Sequence, residues 1–279
     1  MKAILKLVLL ISAVAALVVI VKPNFLAIGT PEREAVNKIA SDVSDTIQKK
    51  VNFSTPLRVQ SSAKGTLDRQ GVFSSTNSER LKNGAAVLTE NTLLDQAATI
   101  KVNDMFTRQY FEHESPTGEH AGDIALSQGY DYIIVGENLA LGNFKDDQDL
   151  VTAWMNSPGH RANILNPKYK HIGIAVKQGQ FEGKTTWLAV QIFGTSSTLC
   201  TKPDEVMKTI INSEKIQLDT IARELDSLKQ SIDRGSKEDV NRYNELAGQY
   251  NSLAGKAKSD ISRYNTSVQI FNTCIETYS

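Results

Sequence analysis

From Tyr243 to Phe271 one position recurs every seven residues: Tyr243, Tyr250, Ala257, Tyr264 and Phe271, with Leu246 and Leu253 between them. A period of seven places all of these on one face of a helix, and such a face needs a partner. The partner is at hand. Met207, Ile211, Leu218, Ile221, Leu225, Leu228 and Ile232 form a second apolar stripe, and "DRGS" between the two is a turn signal. The two stripes predict an antiparallel helical hairpin over residues 198–279. If Gly235 lies at the bend, Cys200 is 35 residues before it and Cys274 is 39 after it. Folding back brings the chain's only two cysteines to the same end, and their matched distances favour a bridge within the chain over one between chains. The asparagines after the aromatics (Asn244, Asn251, Asn265, Asn272) read as a polar flank beside the seam.

The other end of the chain has a different character. Lys2 and Lys6 precede an apolar run from Leu7 to Val21, broken only by Ser12 and closed by Lys22. Residues 1–22 therefore read as a membrane anchor, with a cleaved signal segment as the alternative, and both readings export the rest of the chain. Export suits an oxidised cysteine pair. Residues 23–73 read as a juxtamembrane helix starting near Pro31, followed from Asn52 to about Phe73 by a polar, Ser-rich linker without periodicity. Lys plus Arg and Asp plus Glu balance at 31 each with no basic run, which argues against nucleic acid as a partner.

All four histidines (His113, His120, His160, His171) lie in residues 74–197. That stretch mixes helical patterns around Thr76–Lys82, Asn91–Arg108 and Asp147–Ser157 with strand-like runs at "HIGIAVKQ" and "TTWLAVQIFG", which predicts an α/β unit. In "WMNSPGHRANIL", Ser157 suits an N-cap and Pro158 the first helical position, so His160 falls in the first turn. The positive end of a helix disfavours an added proton there, leaving a neutral ring able to offer a lone pair. Two other stretches carry matching chemistry: "YFEHESPTG" with His113 and "VGENLALG" with Glu137. Two imidazoles and a carboxylate could hold zinc or another divalent cation through His113 and His160, or could form an acid/base cluster with Glu137 as the general base. Their separations of 24 and 23 residues match no local ligand motif, so spacing does not decide between these. His120 and His171 read as surface residues, and Trp154 and Trp187 as core.

"TNSERLKNG", "HESPTG", "GENLALG", "WMNSPGHRANIL" and "WLAVQIFG" occur in the order and approximate spacing of the CAP superfamily (cysteine-rich secretory proteins, antigen 5 and pathogenesis-related proteins). The chain most resembles the bacterial SCP-domain branch, over about Ser74–Ser196. This resemblance implies a three-layer α-β-α sandwich with a cleft where His113, Glu137 and His160 gather as ligand-binding residues. Eukaryotic members often carry a second glutamate where this chain has Ser157, a departure that weakens the expected metal site. Three functions follow as expectations. The first is an extracytoplasmic, membrane-anchored binding module for a small ligand, lipid, wall component or protein. The second is a metal- or Glu137-dependent hydrolase, although no GxSxG or other nucleophile motif accompanies it. The third is a coiled-coil adhesion or oligomerisation protein carrying a passive head.

Overall fold

The computed structural model describes residues 49–279. The apolar run at residues 7–21 and the amphipathic segment after it lie outside the described residues. Among the described residues no helix is long and apolar enough to cross a membrane.

A six-stranded sheet organises the α/β unit. Its strands are β1 (Lys50–Phe53), β2 (Leu57–Val59), β3 (Thr89–Glu90), β4 (Tyr132–Gly142), β5 (His171–Phe181) and β6 (Lys184–Ser196). The order is β1-β4-β6-β5-β3, with β2 also on β4. β4, β6 and β5 pair antiparallel, whereas β1 and β2 run parallel to β4 at the sheet edge. Every residue of β4 is buried, because both faces of the sheet are covered.

The covers are helices on opposite sides. α2 (Thr92–Arg108) and α3 (Ala121–Ser127) pack Leu94, Val102, Met105 and Ile124 against Val135, Leu139, Val190 and Ile192. On the other face, α1 (Arg69–Lys82), α4 (Asp147–Met155) and α5 (Pro158–Leu165) pack Val72, Leu150, Trp154 and Ile164 against Ile134, Ala189 and Phe193. Trp154 is fully buried and donates to the Leu139 carbonyl at 3.3 Å, a core role. Trp187 is half-buried at the margin of the same cluster.

The Ser-rich stretch from Asn52 to Phe73 is not a linker. It supplies the second half of β1, all of β2 and the first turn of α1, so the folded unit includes residues N-terminal to Ser74, from Lys50 on. Its two strands have four and three residues, too short to show alternation, and their pairing depends on a partner more than 80 residues away.

Beyond the sheet, α6 (Glu205–Asp233) and α7 (Asp239–Tyr278) form the hairpin. Gly235, at φ +102°, takes the turn after α6, a conformation that a side chain would oppose. Tyr243, Tyr250, Ala257, Tyr264 and Phe271 are all buried in the seam, while Asn244, Asn251 and Asn272 are exposed. Cys200 and Cys274 form a disulfide. Around it Phe271, Ile275 and Tyr278 pack on Ile133 of β4, which docks the base of the hairpin to the sheet.

Candidate functional site

Alternation along β4 sends Glu137 and Asn138 to opposite faces of the sheet. Glu137 points to the α2 side and meets His113, which lies in the loop after α2; Nδ1 is 2.5 Å from Glu137 Oε2. Lys101 of α2 positions that loop. Its fully buried ammonium donates to the His113 carbonyl at 2.6 Å. Burial lowers the Lys101 pKa, and the nearby Glu137 carboxylate is the largest charge opposing that shift.

Asn138 points to the α5 side and organises a second polar cluster. Its Nδ2 donates to the His160 carbonyl at 3.2 Å and to Gln191 Oε1 at 3.1 Å, and its Oδ1 accepts from Asn163 Nδ2 at 3.0 Å. Gln191 passes the chain on to Thr76 Oγ1 at 2.7 Å. Asn138, Gln191, Thr76 and His160 are each at most 1% exposed, so this network is interior rather than surface chemistry. Arg80 of α1, also buried, donates to the carbonyls of Ile164 and Asn166 at 2.5 and 3.1 Å and so caps the C-terminal end of α5, the helix that carries His160.

The two clusters meet at the edge of β4, at Ser54. His113 Nε2 donates to the Ser54 carbonyl. Ser54 Oγ lies 3.2 Å from Asn138 Oδ1 and 3.4 Å from the Glu137 carbonyl. Phe53 stacks on His113 with ring centroids 4.8 Å apart and reaches His120 at 5.2 Å. His120 therefore sits at the rim of the site. His171 is half-buried: Tyr130 Oη lies 2.9 Å from its Nδ1, and burial lowers its pKa.

His160 is as neutral as its helix position predicts, but for a further reason. Burial pushes its pKa down to about 4, outweighing the neighbouring Leu139 carbonyl, and His113 acts in the same direction as burial. Protonation thus favours the unfolded chain. The stability this residue contributes is present above the ordinary imidazole pKa and is lost as pH falls toward about 4. Ser157 does not cap α5 through its side chain; its Oγ lies 2.8 Å from His160 Nδ1 instead.

Proton counting defines what the pair can do. A carbonyl only accepts, so His113 Nε2 must carry a proton, and a second proton is shared between Nδ1 and Glu137 Oε2. Neither ring nitrogen keeps a lone pair for a cation. Among the described residues no group of three or more His, Cys, Asp or Glu side chains is placed to hold a metal ion. The reading of His113 and His160 as zinc ligands does not fit this arrangement. Three buried atoms of the site are without hydrogen bonds, Glu137 Oε1, His160 Nε2 and His120 Nδ1. Ser115 is engaged locally, with its Oγ accepting from the amides of Thr117 and Glu119 at 3.3 and 3.0 Å.

With this geometry established, similarity to known proteins can be placed on it. The family model for CAP, the cysteine-rich secretory protein family, matches residues 73–193. The protein carries a CAP domain. His113, Glu137 and His160 lie within its limits, whereas Ser54 and the hairpin lie outside them. The chain is 36% identical over 158 residues to the uncharacterized protein YkwD of Bacillus subtilis (strain 168), covering 57% of this chain and 58% of YkwD. It is 34% identical over 112 residues to the uncharacterized membrane protein YlbC of the same organism, covering 40% of this chain and 32% of YlbC. The match therefore spans less than two thirds of either relative. A crystal structure of an extracellular SCP-domain protein from Bacillus anthracis str. Ames aligns at 27% identity and a TM-score of 0.40, over 46% of this chain and 40% of that one.

Proposed function

We propose that the protein is an extracytoplasmic binding module, tethered at the membrane by its N-terminal segment, whose CAP domain engages a ligand at His113 and Glu137 without cleaving it. One observation carries this reading: the only carboxylate of the cluster, Glu137, is fully buried and bonded to His113, whose other nitrogen is bonded to Ser54. A general base needs a free lone pair beside a water molecule, and a nucleophile needs an activating partner. Glu137 Oε2 is held by His113 and His113 Nε2 by Ser54, so neither of these atoms is free to take a proton from water. The cluster offers instead an exposed aromatic ring at Phe53 beside the His113 imidazole, with three buried unpaired polar atoms behind them. The Cys200–Cys274 bridge suits an oxidising compartment, and one relative is named as a membrane protein.

The test uses the full chain in detergent micelles, co-sedimented with purified peptidoglycan sacculi and floated with phospholipid vesicles. We expect retention on one of these, reduced at least tenfold by His113→Ala and by Glu137→Gln, with peptide and ester hydrolysis at background. Hydrolysis that disappears in Glu137→Gln would establish the enzyme reading instead. Retention lost on deletion of residues 203–279 but unaffected by either site variant would move the function to the hairpin.

A further inference from the structure

The residue that closes the site belongs to neither the CAP domain nor the hairpin. The family match begins at residue 73, yet residues 50–59 lie along the β4 edge and place Ser54 between His113 and Asn138. From this the geometry points to a ligand class: the site takes an extended polypeptide strand, and residues 50–59 are its occupant in cis. The inference rests on the binding reading above and names what is bound.

The β1–β2 segment is seated as a bound peptide would be. Lys50–Phe53 pair with Ile134–Glu137, and Leu57–Val59 pair with Ala140–Gly142. Between them Ser54, Thr55 and Pro56 stand opposite only Asn138 and Leu139, and this bulge turns Ser54 into the site. Main-chain pairing supplies affinity in strand addition, and the bulge supplies selectivity. Three features define the preferred sequence. The carbonyl at Ser54 accepts from His113, and the preceding aromatic stacks on the His113 ring. The small Ser54 side chain fits against the first turn of α5, where a Cβ on Gly159 would stand 3.1 Å from Ser54 Cβ. A bulky residue in place of either would collide.

The segment is also held lightly compared with the strand it covers. Ser54 is its one buried residue, and Val51, Leu57 and Val59 are half-buried, whereas all of β4 is buried. Val51 packs on one core and Leu57 and Val59 on the other, and the polar anchors are Asn52 Nδ2 on Tyr169 Oη at 3.1 Å, Lys49 on Asp131, and Arg58 on Glu182 and over the Phe111 ring. Withdrawing it would uncover a long apolar edge, which is a template for another strand. Because residues 50–59 follow directly on the N-terminal segment, tension or cleavage there would exchange the cis strand for one from a partner.

A protease-recognition sequence inserted after Gln60, in an exposed stretch, allows the full chain in detergent micelles to be cut while residues 50–59 stay in place. The probe is a fluorescein-labelled peptide of residues 49–60, read by anisotropy. It should bind the cut chain at least twentyfold more tightly than the uncut chain. Binding to the cut chain should weaken at least tenfold in His113→Ala, and as much when the peptide carries Phe53→Ala or Ser54→Val. Equal binding to cut and uncut chains would overturn the inference, as would no binding after mass spectrometry shows that the cut fragment has left, or a fragment that never exchanges. If cutting unfolds the chain, hydrogen exchange on the uncut protein decides: amides of residues 50–59 should exchange at least a hundredfold faster than those of 188–193, and equal protection makes the segment a permanent strand. Peptide failure alongside Glu137-dependent retention on sacculi or vesicles removes this inference alone; failure of both removes the binding reading as well.

Discussion

Replacing both Cys200 and Cys274 with serine lowers the stability of the folded chain by about 4 kcal/mol, the chain-entropy value for a bridge closing a loop of this size. The sequence separation is 74 residues, so the bridge restrains nearly the whole hairpin in the unfolded chain. Its loss also loosens the base, since Cys200 and Cys274 pack with Phe271, Ile275 and Tyr278 around Ile133. Urea titration of the oxidised, reduced and double-serine proteins, followed by tyrosine fluorescence and by far-ultraviolet circular dichroism, measures this. The reduced and double-serine proteins should agree. A loss below about 1 kcal/mol would mean that the unfolded chain keeps the helices paired without the bridge.

Arg80→Met has the next largest effect, a loss of about 3 kcal/mol from leaving buried carbonyls without donors. The guanidinium reaches Ala86, Ile164 and Asn166, joining α1 to the end of α5. Methionine fills much of the same volume, so the change isolates the polar term from packing. Arg80→Lys keeps the charge but cannot span three carbonyls in one plane, and should recover less than half of the loss. The same urea titration checks both variants. Stability unchanged in Arg80→Met would show that α5, and with it His160, is held by packing alone.

Much of the hairpin was legible because its information is local and repeated. The seven-residue period, the Gly235 turn and the matched cysteine distances all lie within one stretch of chain, and each has its counterpart in the folded hairpin. The site was legible only in part. His113, Glu137 and His160 stand out as residue types in motifs, but their positions on two faces of β4 follow from strand alternation in "VGENLALG", which was read as a motif and not as a buried strand. Ser54 was missed because a three-residue bulge in a polar stretch has no period of its own. Nothing local in the sequence sets Lys101 and Arg80 apart, since a buried cation looks like a solvated one. What buries them is carbonyls from distant segments, at His113 for one and Ile164 for the other. Ser157 shows the same limit from the other side: its N-cap position was correct, but its hydroxyl goes to His160.

His113 and Glu137 on one face of β4, and Asn138 and His160 on the other, form two polar clusters that meet at Ser54. Nuclear magnetic resonance of the full chain with 15N-labelled histidine, titrated from pH 8 to pH 4, tests this arrangement most directly. His160 should stay neutral through the ordinary imidazole range and take a proton only near pH 4. A His160 that titrates near 6.5 would contradict it.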